Sequence, residues 1–509
     1  MQTALMSQRR AGVLLHITSL PGPHAFGDIS KHAYDFIDQL SATGFSVWQI
    51  LPLGPTHEDL CPYQSLSAHA GNPQLINLEW LAEKGWLKSD EVSVDIENDR
   101  NVRLNCIERA FYCFKVLNNN EQLIKFNEFI EANNYWLESY ALYVVLRQEF
   151  ENNSWVHWPQ GYRDLDDNLL NEFKLSHREK IEAILFQQYI FFEQWAELKT
   201  YANENGILII GDMPIFVSHD SADVWANRKY FSVGLDGNAK YVAGVPPDYF
   251  SEFGQRWGNP HYQWDEIKRD EFSWWVERIQ TQAKLYDAIR IDHFRGLVQY
   301  WEIPASEENA INGRWVDAPG RELLQKLNQC FPEFSLIAED LGTITPDVIK
   351  LRDEFSLPGM LILQFAFSGD SDNPYLPVNH TKNSVVYTAT HDNDTTVSWY
   401  ESLSAETKQY ISECLGFSSL AMPWVLIKAA FDSVANVAII PMQDLLSLGK
   451  EQRMNTPGTT QGNWQWRLTD GQYSDEVVSK VAPMLVNSGR AFSVEDYVST
   501  HVMQPNSNL

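Results

Sequence analysis

The chain carries eight short runs in which apolar, often β-branched residues follow one another almost without interruption. They are GVLLHI (12–17), FSVWQILPL (45–53), GILIIGDMPIF (206–216), YDAIRID (286–292), FSLIAED (334–340), MLILQFAF (360–367), SVVYTAT (384–390) and VAIIPM (437–442). Unbroken runs of this length fit strands buried on both faces, as in a parallel sheet covered by helices. Segments with apolar residues at three- and four-residue spacing precede several of them, for example SWWVERIQTQAKL and GRELLQKLNQC. The alternation predicts an α/β chain, and eight units predict a closed (β/α)₈ (TIM) barrel.

The second and third runs lie too far apart for an ordinary crossover. Residues 60–200 between them are expected to form a mainly helical insertion, because LEWLAEKGWL, NEFIEANNYWLESYALYVVLRQEF and KIEAILFQQYIFFEQWAELKTYA all show helical spacing. With no Gly/Ser linker, repeat or low-complexity tract, residues 1–509 are expected to be one catalytic domain.

Composition narrows the partners. The formal charge of −28 (39 basic against 67 acidic residues) opposes binding to nucleic acid or to an anionic membrane surface. Eighteen tryptophans and 21 tyrosines suit the apolar faces of sugar rings, and equally suit a core. The five cysteines, Cys61, Cys106, Cys113, Cys330 and Cys414, are widely spaced with no CxxC pair, which favours neither a disulfide framework nor zinc and fits a reducing compartment. GVLLHI is too short for a signal sequence and no run spans a bilayer, so the expected location is cytoplasmic.

In a (β/α)₈ barrel, chemistry sits where the strands end. Here four predicted strands end in carboxylates: Asp212; Asp292, followed by His293; Glu339 and Asp340; Asp392 and Asp394. Taken singly, Asp340 and Asp394 read as helix N-caps. Taken together, carboxylates on one rim repel and need a cation or donors to stay ionised. Arg290 stands two residues before Asp292, on the same face of its strand, and is expected to hold it charged. One carboxylate kept ionised and another kept protonated is the requirement of glycoside chemistry, with Asp292 suited to the first role and Glu339 to the second. Metal binding through His293, His391 and the aspartates is the rival, without a recognised ligand spacing. Arg295 is expected to pair with Asp287 or Glu302, and Trp257 serves equally as a cleft residue or as an anchor packed on Pro260.

From about Arg10 onward the chain resembles the 4-α-glucanotransferases (amylomaltase or disproportionating enzyme) of glycoside hydrolase family 77, in the α-amylase superfamily. The resemblance runs through AGVLLHITSLPGPHAFGD, LPLGPT, PYQS, GDMPIF, AGVPPDYFSEFGQRWGNPHY, YDAIRIDHFRGL, AEDLG, GMLILQFAF, THDNDT and NTPGTTQGNWQWRL, in that order. It implies a barrel without a C-terminal β-domain, with Asp292 as nucleophile, Glu339 as general acid/base and Asp392 as the third carboxylate, holding the sugar's 2- and 3-hydroxyls. It further implies that Tyr63, Asp212, Arg290 and His391 line the donor subsite, and that 245–260, with Trp257, is a loop over the cleft. The implied partners are α-1,4-glucans, with glucose as an acceptor, and no metal or organic cofactor. The implied reaction transfers a glucan segment with retention. The hydrolytic alternative, a mainly hydrolytic α-glucanase, differs in its products. A non-catalytic glucan-binding protein would have no reason to keep the three carboxylates. Where the family commonly reads PTGYGDSPYQS this chain has PTHEDLCPYQS, so Glu58 replaces a tyrosine associated with a second glucan site, and a carboxylate does not stack on a sugar as a phenol does.

Overall fold

A computed structural model describes residues 4–88, 92, 100–117, 120–247, 251–416 and 419–492. Each of the eight apolar runs overlaps a strand: β1 (Arg10–Leu14), β2 (Val47–Gln49), β3 (Leu208–Pro214), β6 (Ala288–Asp292), β9 (Ser335–Ala338), β10 (Gly359–Ile362), β11 (Ser384–Tyr387) and β12 (Val437–Pro441). They form one parallel sheet in the order β10-β11-β12-β1-β2-β3-β6-β9. The seam between β9 and β10 is bridged by Ala338 N–H donating to Pro358 O at 2.9 Å, so the sheet closes on itself as a barrel.

Both faces of the strands are packed, which is why their sequences do not alternate: β1, β11 and β12 are buried at every position. Interior and helix-facing sides share one apolar core containing Trp48, Trp195, Trp275, Tyr286 and Tyr387. At Gly211 a methyl group would lie 2.3 Å from the Tyr286 ring. Glycine there lets Tyr286 close against β3 one residue before Asp212.

The helices Ser273–Leu285 and Gly320–Cys330 coincide with the two segments named from their spacing. Between β2 and β3 lie helices Leu78–Glu83, Arg100–Leu117, Asn120–Ala132, Leu137–Glu149, Asp167–Ser176 and Arg178–Glu204. The run NEFIEANNYWLESYALYVVLRQEF is two helices, because Asn133 turns its amide back to Phe129 O at 2.7 Å and competes with the helical ladder. Residues 89–91, 93–99 and 118–119 of the expected insertion, and the two chain ends of the expected 1–509 domain, lie outside the described residues.

A second, antiparallel sheet has no counterpart in the sequence reading. Strands β4 (Tyr241–Val245), β5 (Gln255–Pro260), β7 (Gln299–Pro304) and β8 (Arg314–Asp317) pair in the order β5-β4-β7-β8. Its strands follow β3 and β6 in the chain. The segment 245–260, expected as loop, is therefore strand from Gln255 onward, with residues 248–250 outside the described ones. QRWGNP is short, polar and half-exposed, so no apolar run announced it. Among the described residues no strand follows β12, and no helix is long and apolar enough to cross a membrane.

Candidate active site

The barrel register places the acidic strand ends side by side. Asp212 on β3 is opposite Arg290 on β6, and Pro214 is opposite Asp292. Arg290 is 4% exposed and divides its guanidinium between two carboxylates. Its Nε donates to Asp212 Oδ2 at 3.0 Å and its Nη1 to Asp292 Oδ1 at 2.9 Å. The expected pairing with Asp292 is thus present, and it extends to an aspartate on the neighbouring strand. A planar guanidinium suits such a shared position, because its rigid fork presents separate N–H donors to the two carboxylates at once.

Tyr63 enters from the loop after β2, which is pinched by the Thr56–Ser65 bridge and by Leu66 N–H on Pro55 O at 2.9 Å. Its hydroxyl donates to Asp212 Oδ2 at 2.7 Å and lies 2.9 Å from His391 Nε2. The two rings stack with centroids 5.3 Å apart. With its O–H directed at Asp212, the Tyr63 oxygen accepts from His391, which fixes the neutral imidazole as its Nε2–H tautomer. Burial pushes the His391 imidazolium below its ordinary pKa and the Tyr63 phenol well above its own, so both remain neutral donors.

Asp392 follows His391 and is held from a segment that the site reading left out. Asn455 Nδ2 donates to Asp392 Oδ1 at 2.6 Å and Arg453 Nη2 to Asp392 O at 2.5 Å, while Asn455 N–H meets His391 O at 3.2 Å. His391 Nε2 stands 3.4 Å from Asp392 Oδ2. The signal for Asn455 was its place at the head of NTPGTTQGNWQWRL, a segment with no regular element to reveal where it points. Farther along, Trp464 adopts a left-handed backbone (φ 64°) and its ring lies 5.8 Å from Tyr63 and 6.0 Å from His391.

Glu339, just past β9, accepts backbone N–H groups on both oxygens, His293 on Oε2 at 2.6 Å and Leu341 on Oε1 at 3.1 Å. Burial and the neighbouring Asp292 charge raise its pKa well above the carboxylate range. Burial, opposed by Arg290, also raises Asp292, to about 6. Burial raises Asp212 as well, against the pull of Arg290. Of the two carboxyls, Asp292, beside the guanidinium, ionises first, and the proton resides on Glu339. Trp257 on β5 meets His293 edge to face at 4.9 Å, and Gln64, next to Tyr63, donates to the neighbouring Asn259 side chain at 3.1 Å.

Three smaller expectations are corrected. Arg295 pairs with neither Asp287 nor Glu302. Those two are taken by Lys199 (3.5 Å) and Arg314 (2.7 Å), and Arg295 stacks on Trp315 at 3.7 Å while donating to Thr343 O. Asp340 caps no helix; it accepts from Met360 N–H (2.8 Å) and Arg352 (2.6 Å), tying β9 to β10. Asp394 is one residue short of a cap, since Thr395 caps the helix Thr396–Ser402 and Asp394 accepts from Ser398 Oγ at 2.7 Å. Among the described residues no group of three or more His, Cys, Asp or Glu side chains is arranged to hold a metal ion.

A closed parallel eight-stranded barrel with its titratable groups gathered at the strand ends has the architecture of the (β/α)₈ enzymes, and carboxylates paired in this way are the groups that glycoside chemistry uses. The family model described as 4-α-glucanotransferase, glycoside hydrolase 77, matches residues 15–473, and the chain belongs to that family. It is 45% identical over 489 residues to a 4-α-glucanotransferase of Thermus thermophilus, covering 94% of this chain and 98% of that one. To the 4-α-glucanotransferase of Synechocystis sp. it is 43% identical over 488 residues, 92% of this chain and 96% of the other. Among solved structures, the amylomaltase of Streptococcus agalactiae in complex with acarbose superposes with a TM-score of 0.91 at 35% identity, covering 95% of this chain and all (100%) of that one.

Proposed function

We propose that the 4-α-glucanotransferase activity of this chain runs by double displacement through Asp292. In the first step Asp292 attacks the anomeric carbon of an α-1,4-glucan while Glu339 gives its proton to the departing chain, leaving a β-linked glycosyl-enzyme. In the second, Glu339 takes the proton from the 4-hydroxyl of an incoming glucan or glucose, and an α-1,4 bond re-forms with net retention. Asp392, steadied by Asn455, holds the 2- and 3-hydroxyls as positive charge develops on the sugar. Tyr63, Asp212, Arg290 and His391 bind the donor sugar, and Trp257 contacts substrate from the segment over the cleft. No step calls for a metal or organic cofactor.

The observation that carries this reading is Arg290, shared between Asp212 and Asp292 at hydrogen-bond distance, beside a Glu339 whose pKa stands higher. Environments that push two carboxylates apart in this way suit one to act ionised as the nucleophile and the other to hold the proton as the acid. Residues 1–509 form the catalytic unit in this account, with 60–200 as an insertion and 245–260 as the segment covering the cleft. Covering the cleft favours a sugar hydroxyl over water as the second nucleophile.

The test is incubation of the purified protein with maltotriose alone, resolving products by length and counting reducing ends. A ladder of longer maltooligosaccharides at nearly constant reducing ends is expected. Shorter products with rising reducing ends would make the chain mainly hydrolytic.

A further inference from the structure

His293 follows the proposed nucleophile and has a backbone that ordinary side chains avoid. Its φ and ψ are 55° and 48°, in the left-handed region, at the point where β6 gives way to the 3₁₀ turn Phe294–Leu297. A bulky residue held there is uncommon and persists when its surroundings require it. The consequence of the conformation is visible in the hydrogen bonds. Two successive N–H groups, those of His293 and Phe294, converge on Glu339, the first on side-chain Oε2 at 2.6 Å and the second on the backbone carbonyl at 3.1 Å. Consecutive N–H groups pointing the same way are the product of a left-handed residue followed by a right-handed one.

The ring faces a different part of the site. It meets Trp257 edge to face at 4.9 Å and 87° between planes, and its Nε2 is buried with no protein partner. Burial, together with the nearby Arg295 charge, pushes the imidazolium down to about 4, so the ring is neutral and apolar enough to seat an indole. Trp257 belongs to β5, the strand that forms the far half of the 245–260 segment.

We propose that His293 is a positioning residue that links the cleft-covering segment to the acid/base: its left-handed backbone aims an N–H at Glu339, and its ring seats Trp257. Acceptor binding against Trp257 and proton handling by Glu339 then pass through one residue. The proposal rests on Glu339 being the acid/base.

Backbone and ring are separable by two substitutions. His293→Gly accepts a positive φ freely, so it keeps the N–H on Glu339 and loses only the ring. His293→Val also loses the ring, but a β-branched residue does not hold this conformation, so the N–H moves away as well. Wild type, His293→Gly and His293→Val are assayed with maltotriose across the pH range, recording glucose, reducing ends and ladder length. His293→Gly is expected to raise the hydrolytic share about threefold and to leave the alkaline limb of kcat/KM in place. His293→Val is expected to lose about a further tenfold in kcat, with the alkaline limb moved to higher pH, because a donor to ionised Glu339 has been removed. A wild-type hydrolytic share in His293→Gly would overturn the seating role, and this variant alone decides that if His293→Val does not fold. An alkaline limb displaced in His293→Gly, or a folded His293→Val indistinguishable from it, would overturn the backbone role. A wild type that lengthens no maltotriose overturns this proposal together with the functional reading beneath it, and is recognised before any variant is compared.

Discussion

Arg290 Nη1 lies 2.9 Å from Asp292 Oδ1, two residues away on the same strand, while the Nε of the same guanidinium reaches across to Asp212. The pair sets the charge of the proposed nucleophile. Arg290→Lys keeps a cation and loses the fork, so kcat/KM for maltotriose is expected to fall by about 10³-fold, the scale of losing a preorganised electrostatic partner. Arg290→Met removes the cation and leaves Asp212, 1% exposed, without it. Urea unfolding is expected to register a loss of about 3–5 kcal/mol, as for other broken buried pairs. Full activity in either variant would detach Arg290 from the mechanism.

The pH dependence follows from the order of the two carboxyls. Asp292 must be ionised, so kcat/KM rises as pH passes upward through its pKa of about 6. Glu339 must carry its proton, so the rate falls again as pH passes through its higher value. A bell is therefore expected, with its acid limb moved upward in Arg290→Lys, because Arg290 is the group that lowers Asp292. Glu339→Gln, assayed with a donor whose leaving group needs no protonation, is expected to lose the alkaline limb. An alkaline limb unchanged in that variant would place the acid elsewhere.

Asn455 tests whether Asp392 must be held from outside its own loop. Its amide is 2.6 Å from Asp392 Oδ1. A hydrogen bond to a charged group contributes about 1.5–3 kcal/mol, so Asn455→Ala should lower kcat/KM by about 10- to 100-fold. The melting temperature is expected to move by no more than about 2 °C, because the residue is half-buried and its change leaves no buried charge unpaired. A melting shift matching the activity loss would reduce Asn455 to a structural prop.

Tyr63→Phe keeps the ring stacked on His391 and deletes only the hydroxyl that joins His391 to Asp212. The expected result is a drop in kcat of about tenfold or more, with a stability cost of about 1–2 kcal/mol read from chemical denaturation. Unchanged kinetics would show that the sugar site does not depend on the Asp212–Tyr63–His391 chain.

The barrel was legible because strands buried on both faces write themselves as unbroken apolar runs. Asp212, Arg290, Asp292 and Glu339 were legible with it, because each stands at the end of such a run and the register brings their strands together. The antiparallel sheet β5-β4-β7-β8 was not legible, since β5 and β8 are polar and partly exposed, and the buried residues of β4 and β7 are interrupted by Gly244, Gln299 and Glu302, which leaves no long apolar run. Asn455 escaped for a related reason: it sits on irregular backbone whose direction is fixed by the N–H it donates to His391 O rather than by local sequence, as that of Trp464 is by its N–H on Met454 O. The Arg295 pairing failed because sequence spacing offered carboxylates, whereas the fold offered the face of Trp315, with Thr343 O accepting from Nη1 of the guanidinium.

The most direct test of the account is to trap its intermediate. The Glu339→Gln variant, given an α-maltosyl fluoride whose leaving group departs without an acid, should accumulate the glycosyl-enzyme, because the base needed for the second step is missing. Proteolysis and mass spectrometry should then find one maltosyl unit on the peptide that contains Asp292, and none when Asp292→Asn is added. A maltosyl unit on Asp212, Asp392 or any other residue, or label that persists in the Asp292→Asn double variant, would contradict the assignment of Asp292 as the nucleophile.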